Sequence, residues 1–454
     1  MVAQAEPWTY RPDRLPDGPK GPPLWLLSQW ILRPCQLMEE SARRYGDVFT
    51  VRWTLAPAVM VSHPQGVQEI FRTDPAEFDI GQQNSILQPI VGNDSLLLLD
   101  GDRHQRQRQL LMPPFHGERM RAYGELIEQI TRQVFATHTH DGFFEVRAAM
   151  QDISLKVILK AVFGLVEGER YEYLQTLLKA LLALSDSPIK ASLLFIRSLQ
   201  QDWGAWSPWG RFVRQRAEID QLLYEEIRNR RAHPNPEAED ILSLLLSAHD
   251  EEGNSMSDQE LRDELVTLLM AGHETTASAL AWAFYWIHQT PGVLDTLKAE
   301  LATIDPTDFA SIARLPYLNA ICQETLRIYP IAPITFPRFT RHPFELMGQP
   351  IPPGTLLFPC IYLLHRRPDL YPDPETFRPE RFLERQFTPY EFISFGGGNR
   401  RCIGMAFALY EMKLVLATAL IHWSLELAPT SPLRPIRRGV TLAPPSTLRM
   451  RIRT

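Results

Sequence analysis

From Ser257 to Gln289 the chain carries one unbroken helical pattern, and a helix of that length decides what the rest can fold around. Ser257-Asp-Gln-Glu260 has the form of a capping box, with a hydroxyl at the cap and a carboxylate three residues on. Thr290-Pro291-Gly292 stops the helix. Roughly 30 residues at about 1.5 Å each make a rod of about 45 Å, long enough to cross a whole domain. The stretch Leu265 to Ile287 has the length of a membrane span, but His273 and Glu274 sit in its middle, where an ionisable pair is costly in lipid. The pattern therefore predicts a helix buried in protein.

Such a helix needs partners. Residues 118–139, 151–162, 170–185 and 210–230 show helical spacing of apolar positions. Residues 48–62 alternate around a proline, as a small hairpin would. Prolines crowd between Pro330 and Pro389, which predicts short strands and irregular coil, and a final helix runs from just after Cys402 to about His422. No break in composition separates two cores. The expected fold is mainly α with a smaller β-containing subregion, one large domain over residues 24–454, preceded by an extended arm at 1–23. The segment Trp203-Gly-Ala-Trp206-Ser-Pro-Trp209 reads equally as a binding rim or as core.

Composition narrows the function. Of 454 residues 44% are apolar and 22% charged, which excludes wholesale disorder. The net charge of −6 gives a nucleic-acid partner no electrostatic support. Cys35, Cys322, Cys360 and Cys402 are scattered without a CxxC pair, so they form no disulfide framework and fit a reducing, cytoplasmic compartment. The start of the chain lacks a signal-peptide pattern, and the apolar run Leu24 to Leu32 is too short for a transmembrane anchor, which needs about 20 residues.

The sharpest local signal is Phe395-Gly-Gly-Gly-Asn-Arg400-Arg-Cys402-Ile-Gly404, followed at once by helical sequence. Three glycines let the backbone turn sharply and approach a flat object. Cys402 stands just ahead of a helix N-terminus, where dipole and free N–H groups favour thiolate. A soft, charged sulfur suits an iron ligand, and Arg400 can pair with an anionic group of a cofactor. A glycine-rich turn with an incidental cysteine is the plain alternative. A phosphate cradle would lack its lysine and hydroxyl, and zinc would lack further ligands nearby in sequence.

Phe395-x-x-Gly398-x-Arg400-x-Cys402-x-Gly404 resembles the haem-binding signature of the cytochrome P450 family at every fixed position. Glu324-Thr-Leu-Arg327 resembles that family's ExxR motif, and Phe377-Arg-Pro379-Glu380-Arg381-Phe382 its meander motif. Ala271-Gly272-His273-Glu274-Thr275-Thr276 resembles its oxygen-activation motif, and the four occur in the family's order. The resemblance implies the cytochrome P450 fold and a haem-thiolate monooxygenase holding haem b (iron protoporphyrin IX).

It also implies roles. Cys402 becomes the metal ligand, Phe395 packs near its sulfur, and Gly404 lets a backbone N–H reach it. Thr275 hydrogen-bonds the activated dioxygen, Glu274 helps deliver protons, and Ala271 keeps the space above the haem small. Thr276 is the weaker oxygen partner and His273 is structural. His104 and Arg108 match the family's Trp-or-His then Arg spacing and, with Arg338 and Arg400, are expected on the propionates. Glu324, Arg327 and Arg381 are expected to form a buried folding lock rather than a catalytic group.

The chain leaves no Rossmann, flavin or iron–sulfur segment over, so electrons are expected from a separate ferredoxin or flavodoxin with its NAD(P)H reductase. Arg400, Arg401 and Lys413, with Arg103 or Arg106, are the expected docking patch. A distal pocket from residues 80–98, 183–209, the long helix and Ile334-Thr-Phe336 would be apolar and take a fatty acid, alkane or terpene-like molecule; Arg197 and Lys190 are candidate carboxylate anchors. The alternatives are a peroxide-using haem-thiolate enzyme, against which the Glu274-Thr275 pair speaks, and a non-enzymatic haem protein.

Overall fold

The computed structural model describes residues 15–53, 56–115, 119–139, 142–164, 168–182, 200–204, 206–235 and 237–453. The central helix spans Asp258–Gln289, and both halves of the Ser257–Glu260 capping box form. Around it pack the helices Val146–Phe163, Pro208–Ala232, Pro316–Ile328 and Met405–His422. Small residues make the approach close: Ala277, Ser278, Ala279, Ala281 and Ala283 are all buried. At Gly272 an added Cβ would lie 3.2 Å from Ile158 Cδ1, so Val146–Phe163 presses against the helix at that turn.

That neighbour begins five residues before the sequence pattern places it, at Val146 rather than 151. Its first turns carry Arg147 and Gln151, which face a polar position of the central helix and so leave no apolar period to read. Met405–His422 is long and apolar enough to cross a membrane, and most of it is buried inside the fold.

The β subregion ties the start of the chain to its last third. A five-stranded sheet runs in the order Val48–Val51, Ala58–Val61, Leu356–Pro359, Arg338–Thr340, Phe78–Asp79. Ala58–Val61 and Leu356–Pro359 pair in parallel, and the other neighbours are antiparallel. A three-stranded sheet joins Phe144–Glu145, Arg449–Arg453 and Ser424–Leu427. One large core surrounds the central helix, and two smaller ones flank the five-stranded sheet. The extended stretch at 15–22 lies against the first hairpin, with Thr50 N–H donating to Asp17 O at 3.2 Å.

Candidate functional site

The cysteine loop is built by its glycines. Gly396 (φ +69°) and Gly398 (φ +64°) occupy the left-handed region, where side chains are disfavoured. Between them Gly397 lies so close to Phe71 that a Cβ would fall 2.2 Å from the ring. Cys402 N–H donates to Phe395 O at 2.9 Å and closes the loop. Gly404 caps the helix Met405–His422, and its N–H reaches the Cys402 sulfur. Protein crowds that sulfur closely enough for burial to raise the thiol pKa, although the residue is exposed. The Gly404 N–H, Arg108 and Arg401 oppose the rise but do not overcome it. The preference for thiolate read from the helix N-terminus is thus outweighed by burial.

Beside the loop lies a cluster of buried cations. Arg338 is 3% exposed, donates to Phe336 O at 2.6 Å and Gly397 O at 3.4 Å, and rests over the Phe71 ring. Burial, and then Arg400, pull its pKa down to about 9. Arg400 donates to Leu96 O at 3.0 Å, to Leu99 O and to Asp100 Oδ1 at 2.6 Å, while its Nε is buried without a partner. Burial lowers Arg400 to about 10. Arg108 is half-buried and close enough to Cys402 to interact electrostatically. His104, 3% exposed, is held neutral, its pKa pushed to about 3 by burial and then by Arg400 and Arg108.

Asp100 is the single carboxylate ion-paired to these three arginines among the described residues. Among the described residues Arg338, buried, and Arg108, half-buried, have no carboxylate partner, which is costly for the buried one unless an anion joins it. A cofactor bearing two carboxylates and a metal that accepts sulfur meets both demands, so the residues present fit haem.

On the central helix, Ala271 is exposed although the turns on either side are largely buried. Thr275 Oγ1 donates to Ala271 O at 2.6 Å, a back-bond of the kind that bends helices. Glu274 points to the neighbouring helix instead. It accepts from Arg147 Nη1 at 2.8 Å and Gln151 Nε2 at 2.6 Å, and Ser278 Oγ lies 3.4 Å away. His273 is 3% exposed, and burial, then Arg147, hold its pKa at about 4. Thr276 is buried as well.

The sequence profile described as Cytochrome P450 matches residues 16–450. The chain belongs to the cytochrome P450 family. It is a haem-binding monooxygenase, and hence an oxidoreductase. A Mycobacterium tuberculosis H37Rv protein provisionally named cytochrome P450 135B1 is 37% identical over 413 residues, 90% of this chain and 85% of that protein. A second, provisionally named cytochrome P450 138, is 34% identical over 433 residues, 95% and 94% of the two chains. Among solved structures, retinoic acid-bound cyanobacterial CYP120A1 superposes with TM-score 0.83 at 25% identity, covering 97% of this chain and 99% of that one. The cytochrome P450DA haem domain gives 0.83 at 23% identity, with 97% of each chain covered.

In this P450 the ExxR motif lies wholly inside. Glu324 and Arg327 are both 0% exposed and Arg381 is 2% exposed. Glu324 accepts from Arg327 Nε at 2.6 Å, Arg327 Nη2 at 2.8 Å, Arg381 Nε at 3.0 Å and the Arg378 N–H at 2.8 Å. Arg327 also donates to His365 O and Pro374 O, each at 2.8 Å.

The docking patch read from the sequence needs correcting. Arg400 turns inward to Asp100, Lys413 donates to Ala313 O, and Arg106 is tied to Asp250 and Glu260. Arg401 and Arg103 stay exposed, Arg103 paired with Asp94. Side-chain rotation on a helix decides which cations face water, and a charge run does not encode it. Trp203 and Trp206 stack on each other at the surface, 64% and 72% exposed, whereas Trp209 packs against the core. Residues 183–199, with Lys190 and Arg197, lie outside the described residues. The sequence reading missed Phe71, Asp100, Arg147 and Gln151 as parts of the site; no local motif marks them, and only tertiary packing brings them in.

Proposed function

We propose that this P450 holds haem b through Cys402 and inserts one oxygen atom from O2 into a hydrophobic, isoprenoid- or fatty-acid-like substrate. Electrons come from a separate ferredoxin or flavodoxin with its NAD(P)H reductase. The observation that carries the reading is buried Arg338 and half-buried Arg108, neither paired with a carboxylate among the described residues, beside the exposed Cys402. When bound, the haem supplies oxygen activation, and its thiolate ligand favours O–O cleavage.

The chain's own residues do the rest. Arg338, Arg400, Arg108 and His104 bind and orient the cofactor's carboxylates. The Gly404 N–H tunes the sulfur, with Phe395 packed nearby. Ala271 leaves room on the opposite side, and Thr275 presents its Oγ1 oxygen there, with its proton donated to Ala271 O. Glu274 holds or passes a proton at its carboxylate, gated by Arg147 and Gln151. The monooxygenase domain is taken to span 24–454. Four unpaired cysteines support a reducing, cytoplasmic setting.

The substrate class rests on the apolar character of Met270 and Ile334, both partly buried, and of exposed Phe336, and on the retinoic acid bound by the CYP120A1 neighbour. Replacing Cys402 with Ala is expected to abolish the thiolate-type spectrum of the reduced carbon monoxide complex, and a normal spectrum in that variant would remove the ligand assignment. A Soret-shift screen of retinoids, terpenes and fatty acids is expected to show a high-spin shift with an isoprenoid or a fatty acid. Silence across all three series would overturn the substrate class.

A further inference from the structure

Glu411 sits on the helix that follows the cysteine loop, 1% exposed, with Oε1 buried and unpartnered. Ser154, 0% exposed, is the side chain near enough to its carboxyl to oppose the effect of burial on it. The Ser154 hydroxyl also lies 3.4 Å from the carbonyl oxygen of Gly272, one residue after Ala271. Arg147, Gln151 and Ser154 therefore form one polar stripe on Val146–Phe163, spaced to share a helix face. Its first two members hold Glu274, and its third meets the turn before Thr275.

We infer that Glu411 and Ser154 are positioning residues for the Ala271–Thr275 turn, joined in a donor chain from the Glu411 carboxylic acid through the Ser154 hydroxyl to the Gly272 carbonyl. The direction of that chain depends on one proton. A hydroxyl has a single O–H, and a carboxylate can only accept. While Glu411 is protonated it donates to Ser154, which is free to donate to Gly272 O. Once Glu411 ionises, Ser154 turns to the carboxylate and Gly272 loses its extra donor. The carbonyl released is next to the one that Thr275 bonds, so the hydroxyl expected to serve dioxygen shares its turn with the switch.

Burial pushes the Glu411 pKa to about 8, opposed by Ser154 alone among the described residues. Several charged groups on the helices packed around it serve other partners. Arg147 holds Glu274, Glu128 lies near His422, Glu300 accepts from the Tyr317 and Leu318 N–H groups, and Glu324 holds Arg327. Lys413, on its own helix, donates to Ala313 O beside the neutral thiol of Cys322.

The inference rests on the reading of this turn as the oxygen side of a haem site, and one experiment separates the two. The C–O stretching frequency of the reduced carbon monoxide complex, which senses polar groups beside the bound gas, is followed from about pH 6 to about pH 10 in the haem-loaded protein. The wild type is expected to show a shift with a midpoint near 8. Glu411→Gln should hold the acid-end frequency throughout, Ser154→Ala should abolish the shift, and Ser154→Thr should restore it. A shift of undiminished amplitude in Glu411→Gln or Ser154→Ala, or a pH-independent wild type with an intact thiolate-type Soret band, overturns the inference alone. Loss of that band in the wild type overturns the haem-thiolate reading together with it.

Discussion

Arg147 and Gln151 claim the Glu274 carboxylate, the group proposed to handle protons, and they hold it at 2.8 Å and 2.6 Å. Arg147 is 6% exposed, so little water is at hand to replace it. Removing one partner of a buried pair leaves the other uncompensated, at a cost of about 3–5 kcal/mol in dry interiors and less where water reaches. Glu274 keeps 14% side-chain exposure, which places Arg147→Met at the lower end, about 2–3 kcal/mol. Urea unfolding of the haem-loaded protein measures this. The unpaired carboxylate should also raise the fraction of reducing equivalents lost to peroxide. A variant as stable and as tightly coupled as the wild type would show that the pair does not matter. The motif made Glu274 and Thr275 visible in the sequence because their order and spacing are local. Arg147 stayed hidden because its partnership depends on how one helix is rotated against another across 127 residues of chain.

The segment from Ile90 to Asp100 shows the same dependence at the level of an element. The central helix straps it down: Asp263 accepts from the Asp94 N–H at 2.8 Å, Glu264 from the Leu96 N–H at 2.6 Å, and Thr267 bonds Ser95 at 2.7 Å. On the other side Arg400 holds the Leu96 and Leu99 carbonyls. The helix was legible from its cap, its apolar length and its stop signal. Its polar N-terminal turns were not, since Arg262, Asp263 and Glu264 look like an exposed charged face yet are all buried. Burial raises the Glu264 pKa from 4.5 to about 8, against the Leu96 N–H and Gln107. The folded protein therefore keeps a proton that the unfolded chain releases. Stability from this group is complete below about 4.5 and is lost as pH rises to about 8. Glu264→Gln should flatten the fall of unfolding free energy across that window, read by urea titration at several pH values. An unchanged slope would mean that the acid is ionised within the fold.

Across the whole molecule, the proline-rich last third has little regular structure to hold it, and the Glu324–Arg327–Arg381 cluster does that work from inside. Arg327 reaches the His365, Pro374 and Thr376 carbonyls, and Arg381 those of Pro372 and Thr376, so two guanidiniums satisfy the backbone of an irregular coil. The same coil delivers the cysteine loop to the end of the five-stranded sheet, where Arg338 meets Gly397. Glu324→Ala leaves two buried cations facing each other and should cost about 3–5 kcal/mol, a large part of the stability of an ordinary domain. Arg378→Ala is the control. Its ion pair with Glu384 is 41% and 54% exposed on the two sides, where such pairs are worth about 0–1 kcal/mol. The yield of haem-loaded protein and the thermal midpoint should collapse in the first variant and barely move in the second. Equal losses in both would mean that the coil is held by its surface contacts, and the inner cluster would no longer explain how the cysteine loop is kept in place.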